Sequence, residues 1–173
     1  MPASNKQDDN GSLIHDHALT LEKIRYFCSY RERSEKEAGL KLKAMLVPSA
    51  KVKGILNQLR EEGFISDERF ARAFVRGKWR VNHWGRVKIT FDLRGKRIPE
   101  KLISAALEEI DENVYRKILE ELIRKKTAEL RPKQREKNNS GKTLNLRDKL
   151  FNFALGKGYE SDLIREILDE LTI

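Results

Sequence analysis

Arg69, Arg72, Arg76 and Arg80 follow one another at intervals of three and four residues, which lines their guanidiniums along one side of a helix. Like charges one turn apart repel. A stripe of this kind therefore calls for an anionic counterpart, and the planar guanidinium fork suits carboxylate or phosphate. Lys78, Arg86, Lys88, Arg94, Lys96 and Arg97 extend the basic series, and Trp79, Trp84 and Phe91 interleave with it, as in surfaces where aromatic rings stack on unpaired bases. A single arginine is explained as well by a stem lying over apolar side chains with its head in water, and an aromatic residue by packing. The stripe as a whole reads as a docking surface, with Trp84 its candidate stacking ring.

The remaining constellations offer less. Ser140-Gly141-Lys142-Thr143 imitates the end of a phosphate-binding loop, but Glu136 stands where that loop needs its first glycine. His15-Asp16-His17 has neither a fourth ligand nor an orienting carboxylate behind it. His83 has no neighbouring cysteine or carboxylate, and local spacing assembles no nucleophile, base and orienter. The expectation is a protein without catalysis, cofactor or metal. Cys28, the single cysteine, shares a helix face with Leu21 and Ile24 and reads as a core thiol; one cysteine excludes an internal disulfide.

Helices must position these residues. Residues 1–12 are polar, with nothing to bury, and are expected to be disordered. Apolar spacing predicts a helix near Ala18–Tyr30, and a second opened by the capping-box pair Ser34-x-x-Glu37. A third follows Val47-Pro48 and ends at Gly63. In Gly63-Phe64-Ile65-Ser66-Asp67, a glycine suited to a left-handed helix end meets residues suited to cap the next helix. That fourth helix places Phe70, Ala73, Phe74, Gly77 and Val81 on one stripe, beside the arginines. Gly85 opens the fifth, Ile98-Pro99 separates it from the sixth, and Leu102, Ile103, Ala106, Leu107 and Ile110 form its buried side. A long helix runs from about Asn113 to Leu130. Arg131–Asn145 reads as a mobile basic loop, and two helices close the chain.

These helices repeat. Arg86–Ile110 lies over Arg147–Leu171 without a gap, matching Arg86/Arg147, Lys88/Lys149, Gly95/Gly156, Leu102/Leu163, Leu107/Leu168 and Glu109/Glu170. Glu35–Leu59 overlays the middle copy through Leu42/Leu93, Pro48/Pro99 and Leu59/Ile110. The expected architecture is all-α: three tandem three-helix repeats, at 13–65, 66–111 and 112–173, stacked into an elongated, curved molecule.

The charge is uneven. The 173 residues carry 36 Lys/Arg against 27 Asp/Glu, net +9, with pI near 9.7. Ten of the bases lie between Asp67 and Arg97, against three acids, and seven between Arg131 and Lys149, against two. Such a distribution points to an anionic partner. No apolar run is long enough to cross a membrane and the first residues lack a secretory core, so a cytoplasmic protein with no membrane partner is expected. Nothing suggests an obligate oligomer, and a monomer is the expectation.

Arg31-x-Arg33-Ser34-x-x-Glu37, then Glu62-Gly63-Phe64-Ile65-Ser66-Asp67-Glu68-Arg69-Phe70-Ala71, then Gly85-x-x-x-Ile89-x-x-x-Leu93-x-x-Lys96-x-Ile98, resembles in order and spacing the bacterial RecX family of regulatory proteins. Lys157-Gly158-Tyr159 is the main anchor in the third repeat. Arg97 stands where the family usually has glycine, which implies another geometry there or about 1 kcal/mol of strain. The resemblance implies a non-enzymatic regulator. Such proteins bind the RecA recombinase and its filament on single-stranded DNA, and restrain strand exchange and the coprotease activity behind the SOS response. The DNA contact itself is weak or indirect. Without the resemblance, net charge and three-helix units also fit a general nucleic-acid-binding protein with helix-turn-helix-like modules.

Overall fold

The computed structural model describes residues 17–136 and 145–172, which form nine helices and no strand. In chain order these are α1 (His17–Ser29), α2 (Glu35–Ala44), α3 (Ser49–Glu61), α4 (Asp67–Arg80), α5 (Arg86–Gly95), α6 (Glu100–Leu107), α7 (Glu112–Glu136), α8 (Leu146–Lys157) and α9 (Ser161–Glu170). The chain gathers into two compact units, one ending at Phe70 and one beginning at Ala71.

In the first unit, Leu21, Ile24 and Cys28 of α1 are buried together with Ala38, Leu42, Val47, Ile55, Leu59 and Ile65. The N–H of Glu37 donates to Ser34 Oγ at 3.2 Å, so the serine caps α2 as its spacing predicted. Gly63 closes α3 with φ +76, and Phe64 N–H reaches back to the Leu59 carbonyl at 2.8 Å. Ser66 Oγ then accepts from Arg69 N–H at 3.3 Å, and Asp67 Oδ1 accepts from Glu35 N–H at 3.0 Å. Burial pushes the Asp67 carboxyl up despite that bond. The joint between the first and second repeats thus caps one helix, starts the next and ties it back to α2.

In the second unit α5 packs on α6, and α7, α8 and α9 pack on one another. The buried face of α4 is Phe70, Ala71, Val75 and Trp79. The expected stripe was turned: Ala73, Phe74 and Gly77 are partly exposed, and Val81 is 76% exposed. Ala71, Val75 and Trp79 have the same helical period as the stripe first read, and Trp79 buries the larger apolar surface. With that correction the repeat extends further than the letters showed. The step of 51 residues from Leu42 to Leu93 also carries Thr20 to Ala71, Ile24 to Val75, Cys28 to Trp79 and Val47 to Ile98, all buried.

α7 also differs from expectation. It continues six residues past Leu130, to Glu136, so the segment read as a loop from Arg131 to Asn145 begins as helix. Pro132 removes one N–H from the ladder, and the strong helix formers around it sustain the rest. Asn145 caps α8, accepting from Asp148 N–H at 2.7 Å. Residues 1–16 and 137–144, including the expected tail, His15, Asp16 and Ser140–Thr143, lie outside the described residues.

Candidate functional site

The arginines on and after α4 meet carboxylates of their own chain. Arg69 Nε bonds Glu32 at 2.8 Å, and its second nitrogen bonds the Gly63 carbonyl at 2.7 Å. Glu109, from the turn after α6, accepts from both Arg72 and Arg76, the latter at 3.1 Å. These bonds, Arg72's first, hold the Glu109 carboxyl below its ordinary range. Arg94 forms a two-pronged pair with Glu100, at 3.0 and 2.7 Å. Arg86 lies against the Tyr115 ring, 4.2 Å from its centroid, and pairs with Glu112 at 2.6 Å and Glu160 at 3.5 Å. Three of the four stripe arginines find their counterpart within the chain, and five of the expected contact residues have structural partners.

The pairing recurs in every repeat. Arg25 of α1 bonds Glu62 just beyond α3, with Nε at 2.8 Å; Arg76 of α4 bonds Glu109; Arg116 of α7 bonds Glu170 of α9 at 2.6 Å. An arginine on the first helix of each repeat is thereby clamped to an acid at the end of the third. The Glu109/Glu170 identity between repeats was the sequence signal for it. Each pair is partly exposed, so it orients the helices more than it stabilises them.

A different set is braced by aromatic rings. Lys78 Nζ lies 4.4 Å and Lys88 Nζ 4.2 Å from the centroid of the Trp84 ring. Lys78 also lies 5.2 Å from the centroid of Phe74, and Lys96 lies 5.7 Å from the same ring. The result is a ladder, Lys88–Trp84–Lys78–Phe74–Lys96, built from α4, the turn before α5, α5 and the residue ending it. Trp84 N–H donates to the Lys78 carbonyl at 3.0 Å, which fixes the ring on the end of α4. Its face is occupied by ammonium groups, so Trp84 holds two lysines in register rather than offering an open stacking surface. Among the described residues, Lys78, Lys88, Arg80 and Arg97 form no ion pair. Arg80 is exposed beside Trp79, and Arg97 is exposed on the α5–α6 turn.

Phe74 was missed as a member because it was assigned to the core. Trp79, read among the interleaved aromatics, is buried. Of the joint residues, Gly63, Ser66 and Asp67 act through backbone geometry and capping, while Phe64 is half-buried and Phe70 buried.

Behind the ladder, α5 is anchored by a backbone seam. Gly85 N–H donates to the Lys157 carbonyl at 2.9 Å and Val87 N–H to the Gly158 carbonyl at 3.0 Å. A Cβ on Gly85 would fall 2.0 Å from the Gly158 oxygen, and one on Gly158 only 2.2 Å from Lys88 Cβ. Beside the seam the Tyr115 hydroxyl donates to Glu160 at 2.7 Å and accepts from Arg86 N–H at 2.9 Å.

His83 Nδ1 is buried and bonds to nothing among the described residues, no His/Cys/Asp/Glu group there could hold a metal, and no helix there is long and apolar enough to cross a membrane. Fold and face together define the class: an all-helical protein of tandem three-helix repeats that presents ring-braced lysines. Residues 66–107 match the family model of the second three-helix domain of RecX. The regulatory protein RecX of Prosthecochloris aestuarii is 30% identical over 156 residues, covering 90% of this chain and 95% of that protein. The RecX of Clostridium acetobutylicum is 28% identical over 167 residues, covering 95% and 72%. The crystal structure of RecX from Lactobacillus salivarius superposes with a TM-score of 0.74 at 22% identity, over 90% of this chain and 96% of that one. The chain belongs to the RecX family of regulatory proteins.

Proposed function

We propose that this protein restrains a RecA-type recombinase in the cytoplasm by binding its filament on single-stranded DNA, with Lys78, Lys88, Lys96, Arg80 and Arg97 facing carboxylates or phosphates of the filament. The observation that carries the reading is the ring-braced ladder, whose Lys78 and Lys88 are held in place yet paired to no acid among the described residues. Family membership supports the regulatory role. No covalent chemistry is needed: occupancy of the filament would by itself obstruct strand exchange. The test is DNA-dependent ATP hydrolysis by the recombinase at substoichiometric amounts of this protein. The expected result is inhibition that Lys78→Glu with Lys88→Glu abolishes, while the helical circular dichroism is unchanged. Full recombinase activity beside a bound excess of the wild-type protein would overturn the reading.

A general nucleic-acid binder is the second reading, favoured by Lys78 and Lys88, which form no ion pair among the described residues. It requires tight, salt-sensitive binding to DNA alone. Firm binding to recombinase beside weak, unsaturable binding to DNA would dismiss it.

A further inference from the structure

Helix α1 is apolar on two sides. Leu21, Ile24 and Cys28 face the core of the first unit, but Leu19, Lys23, Tyr26 and Tyr30 form a second strip, at intervals of four, three and four residues. Two members of that strip stand well out from the described residues of their unit: Tyr26 is 77% and Tyr30 82% exposed. The strip lines a groove of about 680 Å³, completed by Phe27 and Arg33, by Lys41 of α2 and by Met45, which caps that helix. That volume falls within the range of ligand-binding clefts, about 300–1,000 Å³.

The groove is braced by cations. Arg33 Cζ lies 3.9 Å and Lys41 Nζ 5.6 Å from the centroid of Phe27, and Arg33 Nε donates to the Phe27 carbonyl at 3.4 Å. At the 51-residue step, Phe27 corresponds to Lys78 and Arg33 to Trp84. The corner that carries the lysine ladder in the second repeat thus carries the same ring–cation pairing in the first, with ring and cation exchanged. Lys23, Arg33 and Lys41 form no ion pair among the described residues, and Glu22 is the one carboxylate in the lining. The signs of the lining select an anionic ligand. Leu19 and Met45 add aliphatic walls beside the rings, and the Phe27 ring already carries Arg33 and Lys41, so the groove favours a buried apolar side chain over a stacked nucleobase.

We propose that the α1–α2 groove docks an acidic peptide segment of a partner protein, with one apolar or aromatic side chain seated among Tyr26, Phe27 and Met45 and flanking carboxylates facing Lys23, Arg33 and Lys41. This goes beyond the filament reading and uses none of the ladder residues, so either can fail alone. The helix-in-groove mode of recognition has this form, an apolar anchor with charged flanks.

The experiment is fluorescence anisotropy of the full chain with three labelled probes: an acidic peptide carrying a central Leu-Phe pair, the same peptide with Ser-Ser at the centre, and oligothymidylate. The expected result is saturable binding of the Leu-Phe peptide, at least tenfold tighter than the Ser-Ser peptide. It weakens at least tenfold in Tyr26→Ser with Tyr30→Ser and again in Lys23→Glu with Lys41→Glu. The substituted side chains are exposed, so circular dichroism should show both variants folded. Equal binding of the two peptides, or none by the first, overturns the proposal. So does oligothymidylate binding lost in the same variants, which would make the groove a nucleic-acid site. A concentration-dependent dimer abolished by the tyrosine substitutions would assign it to a second copy, and peptide binding only after removal of residues 1–16 to the chain's own N-terminal segment; either would overturn it as well.

Discussion

Arg97 has φ +64 and Leu46 φ +60, in the left-handed region that disfavours a side chain. They occupy the same position in successive repeats, where Gly158 stands in the third with φ +87. Each ends a helix in the same way: the next residue, Val47, Ile98 or Tyr159, donates back to Leu42, Leu93 or Ala154 at 3.1 to 3.3 Å. Arg97 therefore keeps the geometry common to the repeats and bears the strain. Arg97→Gly and Leu46→Gly should each stabilise the protein by about 0.5–1 kcal/mol, read as a raised urea midpoint at unchanged slope, since both side chains are exposed. If Arg97 contacts an anion, its variant should gain stability and lose affinity together. A second prediction concerns Tyr115 and Tyr159, buried with ring centroids 5.0 Å apart. Burial first, and the Glu160 charge after it, push both phenols well above their ordinary value. With the folded pKa raised, the contribution is complete below about pH 10, where an unfolded tyrosine begins to ionise, and is lost as pH rises beyond it. Stability should fall above pH 10 by about 1.4 kcal/mol per pH unit for each tyrosine. Tyr115→Phe should flatten that limb while costing about 1–3 kcal/mol at neutral pH, because Glu160 and Arg86 N–H lose a buried partner.

At the scale of the elements, glycines separate what sequence periodicity reveals from what it conceals. Gly95 and Gly156 coincide between repeats, yet a Cβ at either meets nothing within 4 Å. The two that matter, Gly85 and Gly158, do not align with each other and touch across the seam. Gly85→Ala should therefore lower the urea midpoint by the equivalent of about 2 kcal/mol or more, since backbone must move, and Gly158→Ala adds left-handed strain. Gly77→Ala and Gly156→Ala, inside α4 and α8, should instead raise it by about 0.5–1 kcal/mol each. The helices and their caps were legible because their causes are local: Ser34, Gly63 and Ser66 act within a few residues of themselves. The rotation of α4 was not, because two stripes shared one period and burial depends on which helices pack against it. The fate of the arginines was hidden for the same reason. Glu32 and Glu109 lie more than thirty residues from Arg69 and Arg72, and no local spacing shows that they converge.

For the whole molecule, the net charge of +9 overstates what is available to a partner. Once Arg69, Arg72, Arg76, Arg86 and Arg94 are matched to acids, the outward positive charge of the second repeat rests on a smaller set, led by Lys78, Lys88, Arg80 and Arg97. Reversing Arg72 and Arg76 would set new carboxylates against Glu109, so any lost function would follow from damage to the α4 clamp. Lys78 and Lys88 can be altered without that confusion, because they lie against rings. Binding of a labelled oligothymidylate, with and without recombinase, measured across a salt series separates the two groups. If Lys78 and Lys88 meet phosphates, Lys78→Gln and Lys88→Gln should each reduce the log–log salt slope by about 0.7, the value for one phosphate of a single strand. Arg94→Gln should leave the slope unaltered, because its guanidinium is already committed to Glu100. If the ladder meets carboxylates of the recombinase instead, the lysine variants should weaken binding only when recombinase is present, and the slope for DNA alone should stay that of the wild type. A slope that shifts equally for lysines and paired arginines would mean that the ion pairs open on binding, and that the entire stripe, not the ladder, is the contact surface.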